Sequence, residues 1–391
     1  MNHRLRRGYT EGMDYGLTDE QRAIQRLARD FAQDIVAPLA DSLDAEAVFR
    51  RDLFAQAAKL GLASVPLSAE WGGGGADYLS YLLVIEALAQ VSQAVAGPIS
   101  VHTLCQFPIA MYGTDDQKRA ILPKLANGEW LAAFALTEPN AGSDTAALET
   151  SARPAAEGYV LNGTKLFITN GGDAEMTIVM ARTSPEGGKG ITAFLVPKDT
   201  PGFRAGKKER TLGNRGTSTR ELIFEDCFVP DSARLGPVGH GQKVALSALA
   251  KGRVSVAAGS VGIAQAAIDH ACLHLQQRKQ FGQRLADFQG LQFMVADMAT
   301  QTEAARALVY AAGRMIDAGG SAITAASMAK LFATDTAMKV TTDAVQLFGG
   351  YGFSEEYPVA RLFRDAKGAE IYEGTNQIQR VLIARDLLGK G

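Results

Sequence analysis

Hydrophobic residues in the first third of the chain recur every three or four positions, which is the spacing of an α-helix with one buried face. The first run follows a capping-box pair, Thr18 and Gln21, and its apolar positions are Ile24, Leu27, Phe31 and Ile35. Further helical runs follow at about 53–60, 78–94 and 102–125. These patterns predict a nearly all-α region over residues 1–129.

The apolar pattern changes to a period of two near Trp130, which indicates β-strands. Residues 159–167 alternate on either side of the pair Asn162-Gly163, and this pair predicts a hairpin turn. Strand-like runs follow at 176–181, 191–196 and 221–229, separated by turns rich in glycine and proline. We therefore predict a small antiparallel β-barrel or sandwich over residues 130–237.

The helical pattern returns at Gly241 and continues to the C-terminus. Two of its runs contain Leu291, Met294, Met298, Ala305, Leu308, Ala312 and Met315, and then Met328, Leu331, Met338, Val345 and Phe348. Long apolar helices joined by short loops are typical of a helical bundle. The predicted fold class is α+β, with helical regions at 1–129 and 238–391, and residues 1–14 are expected to be a disordered lead.

The composition of the chain argues against several classes of protein. The 391 residues are 47% hydrophobic and 21% charged, and the net charge of −2 predicts neither a nucleic-acid partner nor electrostatic attachment to a membrane. We expect no apolar run of membrane-spanning length, and no apolar signal segment follows the basic residues 1–7. The three cysteines match neither a disulfide framework nor a zinc motif, so we expect a reducing compartment, the cytoplasm.

Three local motifs suggest ligand sites that their context does not support. Four glycines follow Trp71 without the Lys-Ser or Lys-Thr of a P-loop, which favours a flexible turn between helices over a phosphate site. The spacing Gly188-x-Gly190-x-x-Ala193 leads into a strand, whereas a Rossmann fingerprint opens a helix. His270 and His274 lie four apart on a predicted helix, but no third ligand follows at a useful spacing, so no metal is expected.

The segment 371–380, IYEGTNQIQR, places an acid directly before a helix. Thr375 fits the N-cap, which puts Glu373 near the helix start, and the residues alone leave open an ordinary surface glutamate. Together with 347–353, LFGGYGF, the segment resembles the signature of the acyl-CoA dehydrogenase family. The α, β, α order of the chain from Leu17 is similar to that of the family. The resemblance implies a C-terminal four-helix bundle, FAD as cofactor and Glu373 as catalytic base.

The resemblance also implies a defined reaction. A base takes the α-proton of an acyl-CoA thioester while a hydride leaves the β-carbon for flavin N5, and the product is a trans-2-enoyl-CoA. The electrons then pass from the flavin to an electron-transfer flavoprotein. A carboxylate can be the base where a dry site raises its pKa, and the backbone N–H of Glu373 and a flavin ribityl hydroxyl would bond the thioester oxygen. A minority of relatives carry the base at the position of Gly252, so only Glu373 is left for the role here.

The implied substrate contacts are Ser143, Arg253 and Gly374. Arg253 could instead be a helix-surface arginine paired with a neighbour. Ala250 stands where many relatives carry Asp, which leaves the details of the acyl or pantetheine contacts open.

Several blocks resemble the FAD-binding segments of the family. In the first, backbone N–H groups and hydroxyls of a Gly/Ser/Pro turn can bond flavin or phosphate oxygens, and the implied contacts are Phe134, Leu136, Thr137, Gly142 and Ser143. In the second, Phe167 replaces the usual Trp near the flavin ring and is followed by Ile168 and Thr169; the alternative for Phe167 is an aromatic of the β core. The other implied contacts are Arg278, Phe281, Gln289, Gln346, Gly349, Gly350, Thr375 and Gln377.

The block around Arg278 implies an oligomer. In the family the residues matching Arg278 and Phe281 reach the FAD of a neighbouring subunit, and an arginine suits a pyrophosphate because its guanidinium donates two parallel hydrogen bonds. Shared sites require more than one chain, and the usual assembly of the family is a homotetramer.

Two other functions use the same fold. A flavin monooxygenase or nitroalkane-type oxidase is the main alternative, but such relatives commonly lose or alter the glutamate that is intact here. A non-catalytic scaffold is the other, and the intact base and flavin blocks argue against it. The sequence leaves short straight, branched and aromatic acyl groups open.

Overall fold

The N-terminal region is helical, as predicted. The computed structural model describes residues 13–320 and 322–389, so the predicted disorder of residues 1–14 concerns a segment that lies mostly outside the described residues. The helices are α1 (Asp19–Phe31), α2 (Ala40–Glu46), α3 (Arg51–Lys59), α4 (Tyr78–Ala89), α5 (Gln93–Tyr112) and α6 (Asp115–Ala126). The predicted capping box is confirmed, because the backbone N–H groups of Thr18 and Gln21 each donate to the other residue's side chain, at 2.9 and 3.1 Å.

The predicted continuous run over 102–125 is wrong. Helix α5 starts earlier, at Gln93, and passes through Pro98 and Pro108. Gly113 has an extended backbone and Thr114 caps α6, so two helices occupy this stretch. The hydrophobic spacing continues across the break because both helices bury apolar residues.

The four glycines after Trp71 form a hydrogen-bonded turn. The backbone N–H groups of Gly73 and Gly75 donate to the carbonyl oxygens of Ser68 and Leu67, at 3.2 and 2.8 Å. A Cβ atom on Gly73 would lie 2.2 Å from the Leu67 carbonyl oxygen, so the close approach requires glycine. The predicted turn between helices is confirmed, and internal hydrogen bonds hold it.

The middle region contains an eight-stranded sheet. Its strands are β1 (Ala132–Ala135), β2 (Ser151–Ala155), β3 (Gly158–Ile168), β4 (Met176–Arg182), β5 (Ile191–Pro197), β6 (Phe203–Lys208), β7 (Arg220–Pro230) and β8 (Arg234–Leu235). The strand order is β6-β7-β3-β2-β4-β5-β8, with β1 beside β4. Most pairs are antiparallel, as predicted, but β1 and β2 each pair parallel with β4.

The pair Asn162-Gly163 is not a hairpin turn. Strand β3 runs unbroken through both residues, and the turn lies earlier, between β2 and β3. The pairing of β3 with β7 shifts register at this point, and the Asn162 side chain exchanges two hydrogen bonds with Asp226, at 2.9 and 3.1 Å. Gly163 has φ 150° and serves a β-bulge, which needs the same backbone freedom as the predicted turn.

The C-terminal region is a helical bundle, as predicted. Its helices are α7 (Gly241–Gln277), α8 (Gln289–Asp317), α9 (Ile323–Phe348), α10 (Pro358–Ala369) and α11 (Asn376–Leu387), and a short hairpin of β9 (Lys279–Gln280) and β10 (Gln283–Arg284) joins α7 to α8. Helix α7 packs against α8 and α9 and also against α4 and α5. One buried apolar cluster contains residues from all three regions. The boundaries at 129/130 and 237/238 stay predictions.

Helices α5 and α7 are long and apolar enough to span a membrane by length and composition. The prediction that no apolar run reaches this length is therefore wrong. Of the apolar windows of these two helices, 67% and 78% of the residues are buried inside the protein. Their composition is accounted for by packing, since residues of a core helix are apolar on most faces.

Candidate active site

The segment between α10 and α11 carries Glu373 in a tight turn. Glu373 has a left-handed backbone with φ 55°, and Gly374 follows with φ 92°. The backbone N–H of Asn376 donates to the Glu370 carbonyl oxygen at 3.0 Å, which closes the turn. Thr375 accepts a backbone N–H of the first turn of α11 at 3.4 Å, so the predicted N-cap is confirmed. A left-handed conformation costs a non-glycine residue about 1–2 kcal/mol, so the surrounding structure imposes this geometry.

The carboxyl group of Glu373 lies against α7. A Cβ atom on Gly252 would be 1.9 Å from Glu373 Oε2 and 2.5 Å from Leu104 Cδ1. Position 252 therefore has room for glycine alone while the carboxyl group stays where it is. The two base positions implied by the resemblance are far apart in sequence but meet at one place in the structure.

The environment of this carboxyl group suits a base. Oε2 is buried and has no hydrogen-bond partner among the described residues, although other atoms of Glu373 reach the surface. Burial raises the pKa of Glu373 to about 7, while the charges of Arg253 and Lys330 act in the opposite direction. A carboxyl group that changes charge near neutral pH can accept a proton there. The alternative of an ordinary surface glutamate is wrong.

Arg253 is buried on α7, with 6% of its surface exposed. Its Nε has no hydrogen-bond partner within residues 13–320 and 322–389, and burial lowers its pKa while Glu373 opposes that shift. The alternative of a helix-surface arginine is therefore wrong. The Nε–H group of Arg253 can therefore donate a hydrogen bond to a polar group of a ligand bound beside Glu373.

A buried ion pair joins the first predicted flavin loop to β3. Lys165 Nζ lies 2.6 Å from Glu138 Oε1 and donates to the Leu136 carbonyl oxygen at 3.0 Å. The backbone N–H of Leu166 donates to the Thr137 carbonyl oxygen at 2.9 Å. These bonds bring Leu136 and Thr137 beside the end of β3, where the second predicted flavin block begins.

The other residues of this loop differ in exposure. Phe134 is half-buried at the end of β1, whereas Gly142 and Ser143 are exposed. No atom lies within 4 Å of a Cβ atom built on Gly142. The loop therefore offers an open surface at Gly142 and Ser143, where a ligand could approach the backbone closely.

Phe167 is 60% exposed and has a left-handed backbone with φ 57°. It lies where the pairing of β3 with β7 shifts register, between Lys165 and Ile168. The alternative of an aromatic inside the β core is therefore wrong. Ile168 is buried, while Thr169 is half-buried. An exposed ring at a strand end can pack against a planar ligand.

A second group of predicted cofactor residues lines a cavity of about 590 Å³ at the ends of α7 and α9. The lining includes Arg278, Gln346, Gly349 and Gly350, together with His274 and Tyr351. The Arg278 guanidinium lies 5.5 Å from the centre of the Tyr351 ring. His274 stacks on Phe348 at 4.2 Å between ring centres. This cavity is a basic, aromatic-edged space separate from the Glu373 turn.

The remaining predicted cofactor residues stand apart from this cavity. Phe281 is 95% exposed and Gln289 is also exposed, beyond the lining. Gln377 is exposed at the start of α11, and Thr375 is half-buried beside the Glu373 turn. One chain thus presents three groups of predicted site residues: those at the Glu373 turn, those of the flavin loop and the end of β3, and those that line the cavity at Arg278.

One residue at the Glu373 turn, Lys330 on α9, was missed by the sequence analysis. Lys330 Nζ donates to the Gly374 carbonyl oxygen at 3.0 Å and to Asn376 Oδ1 at 2.8 Å. A signal for Lys330 exists, because it lies within the helical spacing of the buried positions Ala326, Ala329, Ala333 and Ala337. A lysine among buried helix positions needs a polar partner. The large apolar residues on which the prediction of α9 rested lie on another face of the helix.

Models of known protein families match three successive parts of the chain. Models of the acyl-CoA dehydrogenase N-terminal, middle and C-terminal domains match residues 18–129, 133–227 and 239–388. An acyl-CoA dehydrogenase of Bacillus subtilis is 47% identical over 375 residues, which cover 95% of this chain and 99% of the relative. The chain is therefore an oxidoreductase of one defined class: it belongs to the acyl-CoA dehydrogenase family.

Solved structures agree over nearly the whole chain. The butyryl-CoA dehydrogenase of Megasphaera elsdenii superimposes with a TM-score of 0.94 at 45% identity, covering 96% of this chain and all of that one. The structure of PigA with FAD and proline gives a TM-score of 0.93 at 32% identity, covering 97% and 100%. The three-region fold is that of the family.

Proposed function

We propose that this chain oxidises short-chain acyl-CoA thioesters to trans-2-enoyl-CoA, with FAD as cofactor and Glu373 as base. The observation that carries the proposal is the Glu373 carboxyl group, with a buried, unpartnered Oε2 and a pKa of about 7. The similarity to a butyryl-CoA dehydrogenase supports a short acyl group.

The residues of the chain fit FAD. Exposed Phe167 offers a ring face, and the open loop surface at Gly142 and Ser143 offers backbone donors and a hydroxyl. The cavity at Arg278 joins a guanidinium to a volume that could hold part of a dinucleotide. When bound, FAD supplies the acceptor for the hydride that leaves the β-carbon of the substrate.

The chain itself provides the proton acceptor and its surroundings. Glu373 takes the α-proton on its carboxylate, and the positive charge of Arg253 stabilises that carboxylate before the proton arrives. The backbone N–H of Glu373 has no acceptor among the described residues, so it is available to the thioester oxygen as negative charge develops there. Gly374 and Ser143 are proposed as further substrate contacts.

The proposal also covers the electron acceptor, the assembly and the cellular compartment. We take an electron-transfer flavoprotein as the electron acceptor and a homotetramer as the assembly, with FAD sites shared between subunits. The exposed ring of Phe281 and the open cavity at Arg278 support a shared site, because a ring 95% exposed in one chain can be covered by another. The proposed compartment is the cytoplasm, supported by the unpaired state of Cys105, Cys227 and Cys272.

The test is an anaerobic titration of the FAD-loaded protein with a panel of acyl-CoA thioesters. We expect butyryl-CoA to bleach the flavin spectrum of the wild type. Glu373→Gln should keep FAD and slow bleaching by at least about 10³-fold, because an amide does not accept the α-proton. Glu356→Gln, at an exposed glutamate just before α10, is the control and should behave as the wild type.

The outcomes separate the possible functions. Near-normal bleaching in Glu373→Gln would remove Glu373 from the role of base. No bleaching by any thioester, with rapid oxidation of the reduced protein by oxygen, would favour the monooxygenase or oxidase function. A protein that does not take up FAD would contradict the cofactor.

A further inference from the structure

Lys330 is a buried cation beneath the Glu373 turn. Its side chain lies on α9 with no exposed surface. Its two hydrogen-bond acceptors, the Gly374 carbonyl oxygen and Asn376 Oδ1, are both neutral, and no carboxylate of the described residues forms an ion pair with it. Burying an ammonium group without a counter-ion is unfavourable, so the surroundings must compensate for it.

The acceptors of Lys330 belong to the turn itself. The Gly374 carbonyl oxygen also accepts from Gln379 Nε2 at 2.8 Å. The side-chain amide of Asn376 donates to Thr334 Oγ1 at 2.9 Å, and this hydroxyl lies one helical turn from Lys330 on α9. The residues directly after Glu373 are therefore tied to α9 through Lys330 on one side and to α11 on the other.

Two cations face Glu373, and Lys330 is one of them. Arg253 approaches from α7 and Lys330 from α9, and both favour the charged carboxylate. Four further groups interact with Glu373 and are neutral, since burial raises the pKa of each: Tyr78 and Tyr81 on α4, Cys105 on α5 and the adjacent Tyr372.

Lys330 has its own charged surroundings. Burial lowers the pKa of Lys330 to about 8, and Glu373, Asp335 and Glu370 oppose this shift while Arg253 adds to it. The ammonium form is therefore present at neutral pH, where its field acts on the Glu373 carboxyl group. The charges of Glu373, Asp335 and Glu370 and the two hydrogen bonds compensate for burial of the cation.

We propose that Lys330 is a positioning residue for the reaction, which holds the Glu373 turn through Gly374 and Asn376 and whose charge favours the carboxylate form of Glu373. The inference rests on the proposed function, since it takes Glu373 as the base. Two effects follow and can be separated. Loss of the hydrogen bonds loosens the turn, whereas loss of the charge moves the titration of Glu373 to higher pH.

The experiment compares Lys330→Met, Lys330→Gln and Lys330→Arg as FAD-loaded proteins. One readout is the pH dependence of anaerobic flavin reduction by butyryl-CoA. The second is independent of turnover: infrared difference titration of ¹³C-glutamate-labelled protein, with the Glu373 carboxyl band assigned by its loss in Glu373→Gln. Lys339→Met is the matched control, because Lys339 lies on the exposed face of the same helix.

Lys330→Met and Lys330→Gln should raise the midpoint by about one pH unit in both readouts, since one nearby charge typically shifts a pKa by this much. Below the midpoint their rates should fall about tenfold from this effect. Lys330→Gln keeps an uncharged N–H donor and Lys330→Met has none, so an equal shift in the two variants isolates the charge. Lys330→Arg should keep the wild-type midpoint, and Lys339→Met should match the wild type.

An unchanged infrared midpoint in both neutral variants would overturn the inference, even if their rates fall equally at every pH. Lys330→Gln and Lys330→Arg keep the test decisive if Lys330→Met does not fold. Failure of the proposed function gives a different result, namely turnover by Glu373→Gln, and the infrared titration of Glu373 would still report on Lys330.

Discussion

A Cβ atom on Gly252 would lie 1.9 Å from Glu373 Oε2, so these two residues, 121 positions apart, exclude each other's side chains. A side chain at position 252 would therefore occupy the space that the Glu373 carboxyl group fills. The size of residue 252 therefore determines where the Glu373 carboxyl group can lie.

Gly252→Ala should therefore displace the Glu373 carboxyl group. Misplacement by about 1 Å can cost about 10²-fold in rate, and we expect a loss of that order in flavin reduction by butyryl-CoA, with destabilisation of about 1–3 kcal/mol from overpacking. Stopped-flow reduction and urea unfolding measure the two effects. Gly97→Ala on α5 is the control, because a Cβ atom there meets its nearest atom at an ordinary 3.7 Å. Unchanged reduction by Gly252→Ala would show that the carboxyl group is not held where the structure places it.

Phe167→Ala should separate cofactor binding from stability. Because Phe167 is 60% exposed, its removal should change the free energy of unfolding by no more than about 0.5 kcal/mol. The loss of an aromatic contact should weaken FAD binding about tenfold, measured by equilibrium dialysis of the apoprotein. Phe293→Ala, on α8 and 59% exposed, should leave FAD affinity unchanged. Equal affinity in the two variants would take Phe167 out of the flavin site.

His102 makes stability depend on pH. It is buried, its Nε2 lies 3.0 Å from the Leu125 carbonyl oxygen, and its Nδ1 accepts the Ala132 N–H at 3.1 Å, so the neutral ring joins α5, α6 and β1. Burial lowers its pKa to about 3 from 6.5. Since the unfolded chain binds the proton first, stability is retained above about pH 6.5 and is lost as the pH falls towards 3.

The change can be measured with His102→Gln. Wild-type stability should lose about 2 kcal/mol between pH 7 and pH 5 from this one residue. The variant should be less stable at pH 7 but should lose about 2 kcal/mol less over the same interval, as measured by urea unfolding at both values. His240→Gln, at an exposed position, should follow the wild type. Identical pH slopes for wild type and His102→Gln would contradict the neutral, buried ring.

Much of the local structure could be predicted because its causes are local. The capping box of Thr18 and Gln21 and the N-cap Thr375 depend on residues within one helical turn, and both are present. The strands predicted at 176–181 and 191–196 appear as β4 and β5, since a short apolar run bounded by turns is typical of a strand that is buried on both faces. The family motif around Glu373 likewise needed only its neighbours in sequence.

Other features depended on residues far away in the chain. Asn162-Gly163 has the composition of a turn, but pairing with β7 and the bond to Asp226 make it a bulge inside a continuous strand. Phe167 is exposed and Arg253 is buried, which is the reverse of what the two residue types alone suggest and overturns the alternatives of a core aromatic and a surface arginine. Burial depends on which elements pack together, and this is a property of the whole fold.

The sequence by itself determined the order of helices and strands, the family and the identity of the acid at position 373. The tertiary structure decided the chemistry of that acid. Packing of α7, α9 and the turn before α11 buries Glu373 Oε2, which raises the pKa to about 7 against the opposing charges of Arg253 and Lys330. A periodic pattern records which side of an element faces inwards, whereas a pKa depends on the distances to charges and solvent that only the assembled fold defines.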